Sequence, residues 1–136
     1  MFEVKRKYNL DTVNWDEAFL NYDESVKSNK QIKYNYPGFY VSHEAHEIEK
    51  VKHVLKNLDC TYAHLYFNIT TEAETFGKHK DVMDVWFWQC RGITKWILNE
   101  KDEVTLYDGD LIYVSKGTYH NVIPLRPRLG ISMSKE

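Results

Sequence analysis

The hydrophobic and polar positions follow a helical period in the first third of the chain and a period of two in the rest. Five apolar or aromatic residues of segment 14–29 recur at the spacing of one helix face, namely Trp15, Ala18, Phe19, Tyr22 and Val26. Asn14 and Glu17 stand three residues apart, which predicts a capping box at the start of this helix. A second stripe consists of Ile48, Val51, Leu55 and Leu58. It predicts another helix with Ser42 as its N-cap, and segment 37–41 predicts a turn followed by a short strand.

From residue 60 onward the pattern predicts β-strands. In segment 60–70, one set of alternating residues is Tyr62, His64, Tyr66 and Asn68, and the other is Ala63, Leu65, Phe67 and Ile69. Six further short strands are predicted within 84–90, 94–99, 103–107, 110–114, 120–125 and 129–134, with turn sequences such as RG, EKD, DGD and SKGT between them. This arrangement is typical of an antiparallel barrel or sandwich. We therefore expect a mainly β fold in which residues 60–136 form the barrel and residues 1–59 form a helical cover.

The composition excludes several classes of protein. The 136 residues are 43% hydrophobic and 15% aromatic, which is typical of a folded chain, and no repeat or flexible linker divides residues 1–136, so we expect a single domain. The net charge of -2 and the dispersed basic residues predict no nucleic-acid partner. No apolar run is long enough to span a membrane, and the N-terminal residues lack the apolar core of a signal peptide. Both observations predict a cytoplasmic protein without a membrane partner. Cys60 and Cys90 match no metal or redox spacing and predict two reduced thiols.

Candidate metal ligands lie in two segments that glycines bound. His79 and Asp81 are two residues apart, which places both side chains on one face of an extended chain. Gly92 stands thirteen residues after His79, and the second segment runs from Gly109 through the sequence SKG to His120. These spacings resemble the two motifs of the cupin superfamily. A histidine and an aspartate alone would carry little information, but the two motifs together are fairly specific.

His79, Asp81 and His120 have the ligand types of a two-histidine, one-carboxylate triad. Such a triad occupies one face of an octahedral metal and leaves three positions open, which suits Fe(II) oxygenases. Ordinary metal cupins instead carry a second histidine and a later glutamate, at positions that are Asp81 and about Val85 here. The smaller set of protein ligands favours oxygenase chemistry over closed metal binding.

Segment 79–96, HKDVMDVWFWQCRGITKW, resembles the signature H-x-D-x-x-D-V-F-x-x-Q-x-x-G-x-x-x-W of the JmjC-type cupin oxygenases. That group includes the ribosomal oxygenases and the factor-inhibiting asparaginyl hydroxylase. Segment 107–122 is similar to the group's G-D-x-x-Y-x-P-x-G-x-x-H sequence, so the resemblance covers about residues 60–134. It implies a double-stranded β-helix, the jelly-roll barrel of cupins, with the two N-terminal helices packed on it. It also implies hydroxylation that depends on Fe(II) and 2-oxoglutarate, with another divalent metal able to take the site in a crystal.

The chain differs from this family at the position of the residue that binds the cosubstrate. The family carries a Lys or Arg two residues after the glycine, and this position is Thr94. A hydroxyl can donate a hydrogen bond but cannot neutralise a buried carboxylate. Arg128, eight residues beyond His120, stands where many other 2-oxoglutarate oxygenases carry their anchoring cation. We therefore expect Arg128 to bind the cosubstrate with help from Thr94 if its strand face is interior, and Arg126 is the second candidate.

The strand at residues 62–68 offers further contacts. Tyr66 and Asn68 are candidates for binding the cosubstrate, because they share one strand face and that face can line the cavity. His64 belongs to that face as well, and two interpretations remain open for it. It lies at the mouth of the cavity, or on the outside of the barrel under aromatic side chains.

Other conspicuous residues have simpler interpretations. Three histidines are expected on the solvated face of the second helix, namely His43, His46 and His53. Trp86 and Trp88 are expected to pack between their strand and the N-terminal helices. Cys90 is expected to be inert, and Asp84 to support a turn or a metal ligand.

The sequence leaves three functions open. The first is a 2-oxoglutarate oxygenase acting on a small molecule or a peptide side chain, and the exposed aromatic residues favour a homodimer. The second is a metal-dependent cupin enzyme without 2-oxoglutarate, such as a dioxygenase or an isomerase, which Thr94 favours. The third is a non-catalytic cupin that binds a small ligand or a partner through the mouth of the barrel.

Overall fold

The structure is a computed structural model, and it describes residues 1–28 and 37–135. Within these residues, nine strands form two antiparallel sheets. The strands are β1 (Phe2–Lys5), β2 (Phe39–Ser42), β3 (Tyr62–Asn68), β4 (Val85–Arg91), β5 (Thr94–Leu98), β6 (Asp102–Leu106), β7 (Leu111–Val114), β8 (His120–Pro124) and β9 (Arg128–Ser134). Helix α1 spans Trp15–Ser28, a 3-10 turn spans Ala45–Glu47 and helix α2 spans Glu49–Leu58. The mainly β class with two helices is confirmed.

The two sheets and the helices enclose two layers of core. The larger sheet has the strand order β1-β7-β4-β9-β3-β2, and the smaller sheet has the order β6-β5-β8. Ala63, Leu65 and Phe67 of β3 pack in the layer beneath the helices. Tyr66 of the same strand packs in the layer between the two sheets. The predicted alternation of β3 is confirmed, and in the structure it turns one face to the helices and the other to the interior of the barrel.

The short strand expected near residues 37–41 is present as β2, but the expected helical cover over residues 1–59 is wrong at its start, where β1 lies. Strand β1 pairs with β7 at the edge of the larger sheet, with Phe2 opposite Val114 and Lys5 opposite Leu111. Phe2 and Val4 pack between the sheets, and the residues that alternate with them are more exposed. Four residues of alternation are too few to distinguish a strand from a loop, so the sequence did not indicate this strand.

Helix α1 confirms the predicted cap but only part of the predicted face. The Asn14 amide donates to Glu17 Oε1 at 3.1 Å, and the Glu17 amide donates to Asn14 Oδ1 at 2.8 Å. Ala18 is buried as expected, but Phe19 is 47% exposed and Val26 is 39% exposed. The buried face instead contains Asn21 and Ser25 beside Ala18, because α1 packs on polar backbone and side-chain groups at the end of β2.

The apolar stripe of helix α2 is confirmed, but its predicted cap is wrong. The helix begins at Glu49, and Ser42 belongs to β2. The Ser42 hydroxyl is fully buried and donates to Asn21 Oδ1 at 2.5 Å. His43 also precedes the helix and is half-buried, so its predicted place on a solvated helix face is wrong. His53 is exposed on α2 as predicted.

The tryptophans of β4 pack as predicted. Trp88 is fully buried in the layer beneath the helices, and its indole nitrogen donates to the Asn9 carbonyl at 3.0 Å. Trp86 packs at the margin of the same layer. Cys60 and Cys90 are free and buried, and burial raises the pKa of both thiols, which makes them poor nucleophiles at neutral pH. No helix within the described residues is long and apolar enough to cross a lipid bilayer.

Candidate metal centre

The structure brings His79, Asp81 and His120 together. The backbones of His79 and His120 face each other across an antiparallel bridge, with amide-to-carbonyl distances of 3.0 and 2.8 Å. Asp81 Oδ1 lies 3.9 Å from His79 Nε2, and Asp81 Oδ2 lies 3.4 Å from His120 Nε2. One ligand atom from each residue lies within 4.8 Å of the other two. A single ion with bonds of about 2 Å can therefore contact all three side chains after small movements.

Hydrogen bonds to carbonyls orient both imidazoles for metal binding. His79 Nδ1 lies 2.9 Å from the Gly77 carbonyl oxygen, and His120 Nδ1 lies 3.0 Å from the Thr118 carbonyl oxygen. Because a carbonyl can only accept, each Nδ1 carries the proton and each Nε2 presents a lone pair. Burial lowers the pKa of His120, which favours the neutral form that a metal requires.

The loops that carry the three side chains are tied to each other. The Gly117 amide donates to the Asp81 carbonyl at 2.9 Å, and the Lys116 amide donates to Asp84 Oδ1 at 2.9 Å. These bonds join the turn after β7 to the segment before β4. Asp84 therefore supports a turn, which is one of the two roles that the sequence predicts. The Trp96 ring stacks on the His120 ring, with centroids 5.6 Å apart and an interplanar angle of 22°.

The three candidate ligands line a cavity of about 270 Å³ between the two sheets. Val85 lines the same cavity at the position where metal cupins carry a glutamate, and its side chain offers no ligand atom. Phe87 and Trp96 line it as well, and both belong to the core layer between the sheets. The protein therefore supplies three candidate ligand side chains, and the cavity wall next to them is largely apolar.

The structure settles which face of β9 is interior. Arg128, Ser132 and Ser134 line the cavity, whereas Leu129, Ile131 and Met133 pack beneath the helices. The arginine is only 2% exposed. Gly92 makes room for it, because a Cβ at residue 92 would lie 2.1 Å from the Pro127 carbonyl oxygen and 2.8 Å from Arg128 Cα. A tight glycine turn between β4 and β5 thus lets the start of β9 pass close by.

Arg128 is a buried cation that no carboxylate neutralises within the described part of the chain. Its Nε donates to Asn68 Oδ1 at 2.6 Å, and its guanidinium carbon lies 5.5 Å from the Phe39 ring centroid and 5.7 Å from that of Phe87. Burial lowers the pKa of Arg128 to about 10, so the side chain remains charged at neutral pH. Among residues 1–28 and 37–135, no carboxylate forms a salt bridge with it. Such a group is costly to bury unless an anion binds to it.

The other predicted cosubstrate contacts have different positions. Tyr66 lines the cavity, whereas Asn68 is fully buried and holds Arg128. Thr94 is also fully buried, but its hydroxyl donates to Gln89 Oε1 at 3.1 Å, and it is not part of the cavity wall. Arg126 is exposed and lies outside the cavity. Of the two candidate arginines, the structure thus places only Arg128 in the cavity.

Sequence reasoning missed the indole nitrogen of Trp96. Trp96 is 3% exposed and lines the cavity, and its Nε1 has no hydrogen-bond partner among the described residues. The sequence signal for this residue was its match to the last position of the JmjC-type signature, which says nothing about an unsatisfied donor. A buried donor without an acceptor costs about 1–3 kcal/mol, so a ligand oxygen at this place would be stabilising.

His64 lines the cavity, which decides between its two interpretations. Its Nε2 lies 3.3 Å from Nδ1 of His43, and the two ring centroids are 4.5 Å apart. Burial lowers the pKa of both imidazoles, and the neighbouring His43 and His46 lower the pKa of His64 further. This contact was not predicted, because it joins residues 21 positions apart through the end of β2.

A second group of metal-ligand types lies outside the barrel. Glu44, His46 and Glu47 also present ligand atoms within 4.8 Å of one another. His46 and Glu47 are exposed, and Glu44 is half-buried. Water solvates these groups well, so this cluster is a weaker candidate for metal binding than the three residues in the barrel.

No protein-family model matches the chain, and no curated protein is similar to it in sequence. Solved structures are similar. YcfD, a ribosomal oxygenase from Escherichia coli in complex with cobalt and succinic acid, aligns with 99% of this chain at a TM-score of 0.78 and 16% identity. A cupin superfamily protein from Desulfitobacterium hafniense aligns with 76% of this chain and 83% of its own length, at a TM-score of 0.56 and 10% identity. The chain has the cupin fold.

The chain aligns with only part of two longer proteins. Salicylate 1,2-dioxygenase from Pseudoaminobacter salicylatoxidans aligns with 90% of this chain and 32% of its own length, at a TM-score of 0.60 and 11% identity. The chain spans about half the length of YcfD, since 48% of the YcfD chain is covered. The predicted double-stranded β-helix is confirmed.

Proposed function

We propose that this cupin is a non-haem Fe(II)- and 2-oxoglutarate-dependent oxygenase that hydroxylates its substrate. The observation that carries the proposal is that Arg128, a buried cation, lines the same cavity as the cluster of two histidines and one carboxylate. Among the described residues, no carboxylate forms a salt bridge with Arg128. Metal-ligand side chains alone would fit several kinds of cupin. An uncompensated guanidinium beside them selects ligands that carry an anion.

The donor set fits Fe(II). Two neutral imidazole nitrogens and one carboxylate form the facial arrangement that leaves three metal positions for other ligands. The position of Val85 supports this count, because an apolar side chain lines the cavity where other cupins supply a fourth ligand. The carbonyl partners of His79 and His120 fix their rings before any metal arrives.

The cavity fits 2-oxoglutarate through its unsatisfied donors. Arg128 offers the rest of its guanidinium beyond the Nε that Asn68 holds, and Trp96 offers an indole N–H. Among the described residues, Arg128 has no acidic partner and Trp96 Nε1 has no acceptor. In the smaller sheet, His120 pairs with Leu98, and Trp96 pairs with Val122 two residues further along. Thr94 follows next, at the end of β5 that adjoins Gly92 and the start of β9. Trp96 therefore lies between the level of the metal ligands and that of Arg128, along the path of a dicarboxylate.

Each residue then has a defined task. His79, Asp81 and His120 hold the metal, and the Asp81 carboxylate offsets one of its positive charges. Arg128 and Trp96 orient the cosubstrate, and Asn68 holds the guanidinium through its Nε. Phe87, Val85 and Val122 line the cavity with apolar side chains, which exclude water from the part of the wall that they cover. The chemistry that iron and 2-oxoglutarate supply when bound is the oxidation by dioxygen of 2-oxoglutarate to succinate and CO2, and of a substrate C–H to C–OH.

An anaerobic titration tests the proposal. Protein with Fe(II) is titrated with 2-oxoglutarate without oxygen, and we expect the weak visible charge-transfer band of a metal-chelated keto acid to appear. Admission of oxygen should then convert 2-oxoglutarate to succinate. Folded protein that binds Fe(II) but shows neither the band nor succinate would refute the 2-oxoglutarate part of the proposal.

Replacement of Trp96 by phenylalanine should weaken 2-oxoglutarate binding by about tenfold, because the ring is kept while one hydrogen bond to a charged acceptor is lost. The affinity can be measured by calorimetry with Zn(II)-loaded protein, in which no oxidation takes place. The Trp86→Phe variant is the control, since Trp86 packs outside the barrel interior and should bind normally. Equal affinities for Trp96→Phe and the wild type would exclude a role for the indole nitrogen.

A metal-dependent enzyme without 2-oxoglutarate is the second candidate. Thr94 favours it, because this residue occupies the position at which the family carries its Lys or Arg. In that enzyme the substrate itself would carry the anion that Arg128 binds. Metal binding and dioxygen consumption without succinate formation would support this candidate.

A further inference from the structure

The cavity has a part that neither the metal nor the proposed cosubstrate uses. Within the described residues, the only ionisable lining groups other than Tyr66 and the histidines are Asp81 and Arg128. The proposed function assigns both of these charges to the metal and to the cosubstrate. The rest of the wall is apolar or carries uncharged hydrogen-bonding groups.

Three of these polar groups lie together on neighbouring strands. His64 of β3 is directly opposite Ser132 of β9, and Ser134 follows two residues later on the same face. Side chains that face each other across an antiparallel pair have Cβ atoms about 4.5–5.5 Å apart, so they form one patch. We call His64, Ser132 and Ser134 the polar wall.

A second histidine holds His64 in place. His43 Nδ1 lies 3.3 Å from His64 Nε2, and the backbone amide of His43 donates to Ser25 Oγ at 3.1 Å. One of these two nitrogens must carry a proton and donate it to the other, so each ring can be neutral with one N–H of its own. Burial lowers the pKa of both rings, which favours this neutral form at pH 7.

We propose that the polar wall admits an uncharged, hydrogen-bonding group of the substrate, that His64 is the side chain that selects it, and that His43 is a positioning residue. The inference rests on the proposed function, because it assumes that Asp81 and Arg128 are occupied. It adds the chemical class of the group that reaches the metal.

The preference follows from the cost of desolvation. An amide, hydroxyl or neutral imidazole gains hydrogen bonds from the polar wall and loses little on leaving water. A carboxylate or an ammonium would be buried without an opposite charge, which is far more costly. The histidine pair can also match either kind of ligand group, because both tautomers of neutral His64 keep the bond to His43. In one, His64 Nε2 accepts from His43 and His64 Nδ1 is the donor; in the other, His64 Nε2 donates to His43 and His64 Nδ1 is the acceptor.

Matched small molecules test the inference. The probes are N-acetylasparagine methylamide and N-acetylaspartate methylamide, which differ in charge and hardly in shape, together with the glutamine and glutamate pair. Binding is measured by saturation-transfer NMR on protein loaded with Zn(II) and 2-oxoglutarate, so that no turnover occurs. We expect each amide to bind at least about tenfold more tightly than its acid, because the acid would bury an unpaired charge.

Variants assign the preference to His64. His64→Phe should weaken amide binding by about tenfold, His64→Gln should restore part of it, and His43→Phe should give an intermediate loss. His53→Phe is the matched control, because His53 lies exposed on α2 and should leave the affinity unchanged. Thermal melting curves confirm that each variant is folded.

Three results would overturn the inference. They are an acid that binds as tightly as its amide, an unchanged amide affinity in the His64→Phe variant, and no binding of any of the four probes. Each differs from failure of the proposed function, which the same samples report as absence of 2-oxoglutarate binding to Zn(II)-loaded protein.

Discussion

The Asp81→Ala variant is expected to lose metal affinity by at least about 100-fold. Outer groups that only orient metal ligands already contribute about 10–100-fold, and Asp81 is a candidate ligand itself. It is also the only carboxylate of the cluster, so its removal leaves two neutral imidazoles to hold a divalent cation. Binding of Co(II) or Fe(II), followed by calorimetry under anaerobic conditions, gives the affinity directly.

The exposed cluster provides the matched control. Glu47→Gln removes a carboxylate from Glu44, His46 and Glu47, the other set of ligand atoms within 4.8 Å of one another. This variant should bind the metal like the wild type. Full metal affinity in Asp81→Ala, or its loss in Glu47→Gln, would place the metal elsewhere and would favour a non-catalytic cupin.

The Arg128→Met variant is expected to lose 2-oxoglutarate affinity by at least about 100-fold while the ligand-free protein remains folded. The bidentate bond between a guanidinium and a carboxylate is among the strongest polar contacts in proteins, and its loss costs about 2–5 kcal/mol. The ligand-free protein, by contrast, no longer buries an unpaired charge. That gain offsets the lost bond to Asn68, so the free energy of unfolding should stay within about 2 kcal/mol of the wild type.

This separation of binding from stability distinguishes a ligand anchor from a structural arginine. Calorimetry on Zn(II)-loaded protein gives the affinity, and urea denaturation of the metal-free protein gives the free energy of unfolding. Arg126→Met is the control, because Arg126 is exposed and its loss should change neither quantity. Unchanged 2-oxoglutarate affinity in Arg128→Met would contradict the proposed role of this residue.

The cluster of candidate metal ligands, His79, Asp81 and His120, could be predicted because the sequence patterns that indicate it are local. His79 and Asp81 share a strand face by simple alternation, and the glycines fix the turns that bring His120 beside them. Turn residues and a period of two depend on neighbouring positions only. The same reasoning found both helices and most of the strands.

The arginine in the cavity could be predicted only as a choice between two residues, Arg128 and Arg126. The sequence placed Arg128, Ser132 and Ser134 on one face of β9 but did not show which face is interior. Two prolines also left the local register uncertain, which kept Arg126 as the second candidate. Pairing of β9 with both β3 and β4 decides this in the structure. Such a register depends on contacts between distant segments, and a single sequence does not show them.

Polar interfaces were the least predictable part of the fold. Helix α1 buries Asn21 and Ser25 in place of Phe19 and Val26, because the end of β2 offers hydrogen-bonding partners. A prediction that counts apolar residues assumes that burial follows hydrophobicity. For the same reason the contact between His43 and His64 and the free indole nitrogen of Trp96 became visible only in three dimensions.

The measurement that tests the central claim most directly is anomalous diffraction at a metal absorption edge, from crystals grown with Co(II) or Fe(II). We expect one strong peak between His79 Nε2, a carboxylate oxygen of Asp81 and His120 Nε2, with three further coordination positions open to the cavity. A peak at Glu44, His46 and Glu47 alone, or no peak between the three barrel residues, would contradict the proposed catalytic metal site of this chain.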